Sequence, residues 1–419
     1  MPPSSSLTGD RSPTRPNTGT GLTRNVILLG LVSLLTDISS EMTLTFLPFF
    51  LANVLAAKTA VIGLIEGIAD STGSLSRLFS GWLSDLMGRR KGLALLGYGL
   101  SALSKPLLYF AGSWGTVLAV RFADRLGKGV RTPPRDALLA ASNPKQARGL
   151  AFGFHRGADS AGAFIGLAVV ALVIYLTQGG APLLQRLAFQ RLVLIALVPG
   201  FVALGVLALV QEISPQPRSL APPRLSLSGM DARFRWFLVA VTLFTLGNSS
   251  DAFLLLRAQN LGLTVFQVAL LLAGFNLFYA VLSPIMGRWS DRVRRRRVIV
   301  LGWAVYAATY LGFALARAPQ QVIPLFFLYA VYYGLSEGAA RALVADLVPQ
   351  ERRGTAYGLY STAVGITALP ASLIAGLLWQ GLAAWKGFGP PAPFLFGAAL
   401  AALAMLVFLT QVPSQPAED

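Results

Sequence analysis

Leu192-Val193-Leu194-Ile195-Ala196-Leu197-Val198-Pro199-Gly200-Phe201-Val202-Ala203-Leu204-Gly205-Val206-Leu207-Ala208-Leu209-Val210 runs without one charged, amide or hydroxyl side chain. A helix needs about 20 such residues to cross the hydrocarbon core of a bilayer. Backbone amides in hydrocarbon must bond within their own segment, so the run reads as a helix rather than a loop or an open strand. A helix of a soluble bundle would keep a polar face at a period of 3.6 residues, and this run has none. Asn25–Leu51 and Phe394–Thr410 are of the same kind, with charges only at isolated positions. Across all 419 residues 54% are hydrophobic and 13% charged, too apolar for a soluble chain of this length. The chain is an all-α membrane protein.

Apolar runs and polar breaks give twelve spans, near 25–51, 60–82, 93–112, 115–141, 149–177, 192–211, 234–258, 264–286, 298–317, 322–346, 354–380 and 392–411. The breaks after even-numbered spans carry most of the arginine and lysine, as in Arg89-Arg90-Lys91 and Arg294-Arg295-Arg296-Arg297. The positive-inside rule then places both termini in the cytoplasm. The same rule accounts for the net charge of +17 without a nucleic-acid partner. There are no cysteines, which excludes disulfides and thiolate metal sites. Residues 1–24 read as a disordered cytoplasmic tail with no cleaved signal peptide, 212–233 as a cytoplasmic linker rich in Pro and Ser, and 412–419 as a second cytoplasmic tail.

The linker separates two six-helix halves, 25–211 and 234–411, and the halves repeat one another. Gly81-Trp82-Leu83-Ser84-Asp85 recurs as Gly287-Arg288-Trp289-Ser290-Asp291, a shift of 206. Pro144, Arg148-Gly149, Ala151 and Gly153 recur as Pro349, Arg353-Gly354, Ala356 and Gly358, a shift of 205. Ser39-Ser40-Glu41 resembles Ser249-Ser250-Asp251, a shift of 210. Two duplicated six-span halves with a binding site between them near the midplane are a transporter plan.

The stretch from Gly81 through Asp85, Gly88, Arg89 and Arg90 to Lys91 resembles the signature G-x-L-[AS]-D-[KR]-x-G-R-[KR] of the major facilitator superfamily, with Leu86 in place of the usual basic residue. Its second-half copy, with Gly287 and Asp291, lacks the second glycine. The resemblance implies twelve transmembrane helices in two pseudo-symmetric halves, alternating access, and a latch at Asp85 that holds the outward-facing state. In the fourth span Arg125 with Lys128-Gly129 resembles the family pattern R-x-x-Q-G, with Lys for Gln. Proton-coupled members use first-span acids and a fourth-span arginine, which implies the same use of Asp37, Glu41 and Arg125.

The residues themselves give a compatible reading. Arg121, Arg125 and Lys128 share one face of a helix, with Asp124 beside them. Charge at membrane depth is costly, so such residues face a cavity or a partner. Asp37 and Glu41 lie four apart on one face, and two carboxylates in low dielectric relieve their repulsion by holding one proton. Competition between that proton and Arg125 makes a switch; static ion pairing is the alternative. Glu66 and Asp70 in the second span, and His155 and Asp159 in the fifth, repeat the four-residue spacing. His155, the single histidine, can relay a proton or serve as a hydrogen-bonded structural group. In the second half the candidates for the substrate cavity are Asp251, Glu337 and Arg341. The aromatic residues Trp236, Phe275, Tyr279, Tyr306, Tyr310, Tyr332 and Tyr333 can line a cavity, although lipid and core are their commoner surroundings. Two glycine series in the fifth span, Gly149, Gly153, Gly157 and Gly162, Gly166, are expected to pack against neighbouring helices.

The expectation is a secondary active transporter of the inner membrane that exports a small organic molecule against protons, a monomer with no cofactor and no metal. An organic-anion or sugar uptake carrier is the alternative, and a non-transporting receptor on the same fold a further one. An enzyme is not expected. One histidine cannot build a zinc site of the usual kind, and no G-x-S-x-G elbow is present.

Overall fold

A computed structural model of the chain describes residues 22–143, 147–213, 226–293, 295–349 and 352–412. The expected terminal tails, apart from a few residues next to the first and last spans, and most of the linker lie outside these residues, as do the side chains of Asp85, Asp291 and Glu337.

Twelve helical spans follow one another. They are α1 (Arg24–Thr43, prolonged by the turns Leu47–Phe49 and Phe50–Val54), α2 (Thr59–Met87), α3 (Arg90–Ser104, prolonged by Lys105–Phe110), α4 (Trp114–Ala141), α5 (Arg148–Gln178) and α6 (Arg186–Ala208). The second half holds α7 (Ala232–Gly247, resumed as Ala252–Asn260), α8 (Val265–Arg292), α9 (Arg295–Leu315), α10 (Val322–Asp346), α11 (Arg353–Gln380) and α12 (Ala392–Gln411). Ten of the spans are long and apolar enough to cross a bilayer on those grounds alone. The other two are α2 and α4, which carry the charges discussed below.

Local chemistry fixes the helix ends. The Ser113 hydroxyl accepts the Thr116 amide at the start of α4. Thr264 and Gln267 cap the start of α8 reciprocally. Gly88 ends α2 in the left-handed region at φ 63°, a conformation glycine adopts without strain. Beyond it, the Arg90 and Lys91 amides donate to Glu212 at 3.1 and 2.9 Å, which ties the α2–α3 turn to the end of α6.

The duplication is visible in individual hydrogen bonds. Arg90 Nη1 donates to the Ala137 carbonyl at 3.4 Å, and Arg295 Nη1, 205 residues on, donates to Ala342 at 3.1 Å. Arg148 Nε donates to Ala140 at 3.0 Å, and Arg353 Nε to Ala345 at 3.2 Å, again 205 residues on.

Two seams join the halves. Along α2 and α11, the Thr59 amide donates to Gln380 Oε1 at 2.8 Å, the Thr59 hydroxyl to the Gly376 carbonyl at 2.9 Å, and the Ser71 hydroxyl to the Gly365 carbonyl at 2.5 Å. A methyl group at Gly63, Gly67 or Gly376 would run into the backbone of Ser372, Leu369 or Thr59, so glycine is what lets these helices approach. Along α5 and α8, the Val265 amide donates to the Pro182 carbonyl at 3.2 Å and Tyr175 meets Phe266 at 5.8 Å between ring centroids. Both seams occupy the side remote from the chain ends. On the side of the chain ends, Arg77 of α2 has the like charge of Arg341 of α10, across the halves, among its charged neighbours.

The α5 glycines divide along the same line, which corrects part of the sequence expectation. Gly162 and Gly166 pack on the backbone of Leu34 and Ile38 in α1, whereas among the described residues nothing lies within 4 Å of a methyl group placed at Gly149, Gly153 or Gly157. The second series packs; the first lines the open side.

Gly376→Val forces a branched side chain against the Thr59 carbonyl at a cost of about 1–3 kcal/mol. Because the chain has no native cysteine, a single cysteine at Ala60 reports on that seam. Its labelling by a membrane-impermeant thiol reagent is expected to be slow in the parent and faster with Gly376→Val, while labelling at Gly153→Cys is fast in the parent. Equal rates at Ala60 in both would show that the seam does not set the closed side.

Candidate functional site

Residues Arg121, Asp124, Arg125, Lys128 and Arg131 recur every three or four positions, so α4 presents them on one face. Close packing sets that face. A methyl at Gly127 would strike the Gly97 carbonyl of α3, and one at Gly129 the Ser76 side chain of α2. With α4 wedged between α2 and α3, its cations meet the acids of α2. Arg121 Nη2 lies 2.6 Å from Glu66 Oε2, both side chains less than a tenth exposed, and Arg125 Nη2 lies 3.8 Å from Asp70 Oδ1. Glu66 and Asp70, one turn apart, thus take Arg121 and Arg125, also one turn apart.

This arrangement corrects the expected pairing of Arg125 with the first-span acids. Asp37 instead has Lys128, Arg131, Glu41 and Asp159 as its charged neighbours. Glu41 Oε2 accepts the Thr45 hydroxyl at 2.5 Å. Asp124, buried, is surrounded by Lys105, Arg125, Arg131 and Arg121. Lys105 reaches from the end of α3 to donate to Ser39 Oγ at 3.0 Å and Ser40 Oγ at 2.9 Å. Arg131 is 4% exposed; its guanidinium lies over the Tyr98 ring at 4.3 Å, and its Nε and Nη1 have no hydrogen-bond partner among the described residues. Five cations (Lys105, Arg121, Arg125, Lys128, Arg131) and six carboxylates (Asp37, Glu41, Glu66, Asp70, Asp124, Asp159) thus form one cluster, in which an added proton changes which acids can hold the cations.

A cavity of about 90 Å³ opens within this set, with Ser40, Glu41, Leu44 and Thr45 of α1 and its extension on one wall and the Arg121–Arg131 face of α4 on the other. It has room for a few waters or one charged group rather than for a whole organic molecule, which needs several times that volume. Beside it, Ser33 donates to Asp159, whose Oδ2 lies 3.6 Å from His155 Nδ1. His155 is buried and its Nε2 has no partner among the described residues.

The second half is built differently. Asp251 sits where α7 is interrupted, its carboxylate exposed to the gap and accepting the hydroxyls of Tyr329 at 2.7 Å and Tyr333 at 3.0 Å. Tyr306 donates to the Gly247 carbonyl at 3.0 Å on the other side of the interruption. Tyr306, Tyr310 and Tyr332 are buried in a ring cluster, while Trp236 is exposed on the outside of the bundle. Arg341 lies on the exposed side of α10 near Arg77. One contact crosses the gap at mid-height: Arg156 Nη2 donates to Tyr279 Oη at 3.3 Å.

Tyr329 and Tyr98 were not among the sequence candidates. A signal for Tyr329 exists all the same. The 205-residue shift of the repeat sets Tyr329 opposite Asp124 and Tyr333 opposite Lys128, so the second half carries phenols at the stations where the first half carries charge.

The sequence matches the family model of the Major Facilitator Superfamily over residues 29–256 and 235–419. An uncharacterised MFS-type transporter of Methanocaldococcus jannaschii is 36% identical over 395 residues, covering 93% of this chain and 95% of that one. A class E tetracycline resistance protein of Escherichia coli is 34% identical over 141 residues, 33% of this chain and 32% of the relative. Among solved structures, the nucleoside transporter NupG superposes with a TM-score of 0.78 at 12% identity, over 93% of this chain and 100% of that one; this likeness is one of fold.

Removing one member of the buried pair tests how the bundle carries its charge. Arg121→Met leaves Glu66 buried without its cation and is expected to cost about 3–5 kcal/mol, read as a lower melting temperature of the purified protein. Adding Glu66→Leu should recover most of that loss. A double variant no more stable than the single one would mean that the pair does not act as a unit.

Proposed function

The chain belongs to the major facilitator superfamily and is a transporter of that family, and we propose that it is a secondary active carrier that exports a small organic molecule in exchange for protons. The observation that carries this reading is the cluster of five cations and six carboxylates in and next to the α1–α4 cavity. In low dielectric such a set responds strongly to one proton. A proton on Asp37 or Glu41 weakens the hold of that acid on Lys128 and Arg131, and the freed cations repack. The balance between the two arrangements biases which side of the bundle is open. The sequence holds no nucleotide-binding pattern to supply another source of energy. Export is supported by the likeness of one third of the chain to a tetracycline resistance protein. In this reading the protein is a monomer in the plasma membrane of the cell, with the chain ends and the open side facing the cytoplasm, where a substrate for export would enter.

Uptake of an organic anion is the second reading, favoured by the two unpartnered nitrogens of the buried Arg131. An anion would bind together with the proton rather than against it, so the two readings predict opposite effects of pH on substrate affinity.

Proteoliposomes containing the purified protein and a pH-sensitive dye give the test. Under the export reading, substrate added outside the vesicles moves protons out of the vesicle interior, the direction opposite to that of a symporter, and the signal disappears with Asp37→Asn or Glu41→Gln while the protein remains folded. Transport with unchanged pH dependence in both variants would overturn the proton-exchange mechanism.

A further inference from the structure

In the first half every carboxylate of the central set has cations of the same chain beside it. Asp251 does not. Its direct partners are two phenol hydroxyls, no lysine or arginine lies within ion-pair distance of it among the described residues, and the charged groups that act on it include Asp70 and Glu66, which are acids. The repeat sharpens the contrast. Glu41, its counterpart in the first half, lines the same cavity as Arg125, Lys128 and Arg131, whereas the stations facing Asp251 hold Tyr329 and Tyr333. A charged carboxylate at membrane depth needs a counter-charge, and none of the described residues supplies it by direct contact.

The surroundings of Asp251 describe what would supply it. The helix is interrupted there, and interrupted spans are where transporters of this architecture bind their substrates. The carboxylate opens onto the gap between the halves rather than into the core. Around it stand aromatic faces at contact spacing: Tyr329 and Tyr333 at 5.1 Å, Tyr279 and Tyr333 at 6.2 Å, Phe275 and Tyr333 at 6.4 Å. A small hydrated ion would find oxygen ligands in phenols, but rings presented face and edge suit a cation that carries its own apolar body.

We propose that the substrate is an organic cation, held with its positive centre on Asp251 and its apolar body against Tyr333, Tyr279 and Phe275. The site lies in the second half, while the proton-responsive charges lie in the first. The assignment rests on the transporter reading above, which it makes specific.

The experiment is equilibrium binding of radiolabelled tetraphenylphosphonium, benzyltrimethylammonium and N-methylquinolinium to the purified full-length protein, with neopentylbenzene as the uncharged competitor matched in shape to the second. At least one of the three cations should bind, and neopentylbenzene should not displace it. Loss of the carboxylate in Asp251→Asn is expected to weaken binding by about tenfold or more, as the loss of an ion pair in a desolvated aromatic site requires. Asp251→Glu should retain most of the affinity, and Tyr333→Leu should reduce it while the melting temperature stays near that of the parent. The inference is overturned if none of the three cations binds, if Asp251→Asn binds as the parent does, or if only sodium or potassium protects the protein from thermal unfolding in an Asp251-dependent way. The vesicle assay separates this outcome from failure of the transporter reading. Proton-linked flux with Asp251-independent binding removes the cation site and leaves the carrier; Asp251-dependent binding without any flux keeps the site and removes the carrier.

Discussion

Charge inside hydrocarbon must be matched, and the first half of this bundle is organised around meeting that requirement. Arg121 and Glu66 are held 2.6 Å apart in a nearly dry position, where breaking the pair would strand a charge that neither water nor lipid can solvate. The pairing sets how α2 and α4 face one another. That registration in turn needs a close approach of backbones, which Gly129 permits against α2, while Gly97 and Gly127 let α4 settle on α3. Small residues and buried ions are therefore parts of one solution: the glycines bring the helices near enough for the ion pairs to form, and the ion pairs fix which faces the glycines present. The seam between α2 and α11 uses the same device without charge, with Gly63, Gly67 and Gly376 set against backbone.

The duplicated halves have kept their framework and exchanged their contents. Hydrogen bonds at the helix ends recur at a shift of 205, from Arg90 and Arg148 to Arg295 and Arg353. The central faces do not recur. Where α4 carries Asp124 and Lys128, α10 carries Tyr329 and Tyr333, and where Lys105 binds serine hydroxyls in the first half, Tyr310 stacks on Tyr306 in the second. An ionic network responds to a proton; a phenolic and aromatic one does so far less near neutral pH. Duplication followed by this divergence yields a bundle in which one half is electrostatically sensitive and the other offers surface, and the two meet across a single gap.

The fold was legible in the sequence because its signals are long. A run such as Leu192–Val210 admits one reading, and ten long apolar spans, with two charged ones fitted between them by an internal shift of about 205, give the architecture and its halves. Pairing was less legible. A four-residue spacing shows that Asp37 and Glu41 share a face, as do Glu66 and Asp70, but not which face turns toward Arg125. That choice depends on the rotation of α2 against α4, set by contacts far apart in the chain, and it falls to Asp70. The α5 glycines failed in part for a related reason. Gly149, Gly153 and Gly157 have the spacing of a packing face, yet spacing cannot tell whether the partner is in place in a given arrangement of the halves. Tyr329 escaped notice because tyrosine in an apolar span has many uses, and only its alignment with Asp124 marks it out.

The unpacked glycines bear on how such a bundle moves. Gly162 and Gly166 hold α5 to α1 within the first half, so they can stay engaged whichever way the halves are tilted. The continuation of the same helix toward the chain ends carries Gly149, Gly153 and Gly157, with none of the described residues packed against them. Small residues on an exposed helical face carry an entropic cost with no packing in return, unless another arrangement brings a partner against them. In an alternating-access cycle that arrangement is the one in which the side of the chain ends is closed. Closure there also has to overcome the like charges of Arg77 and Arg341, so close backbone packing along α5 supplies attraction where the arginines supply repulsion. Opposing terms of this kind narrow the gap between two arrangements, and the narrower that gap, the more readily binding of one proton or one substrate decides between them.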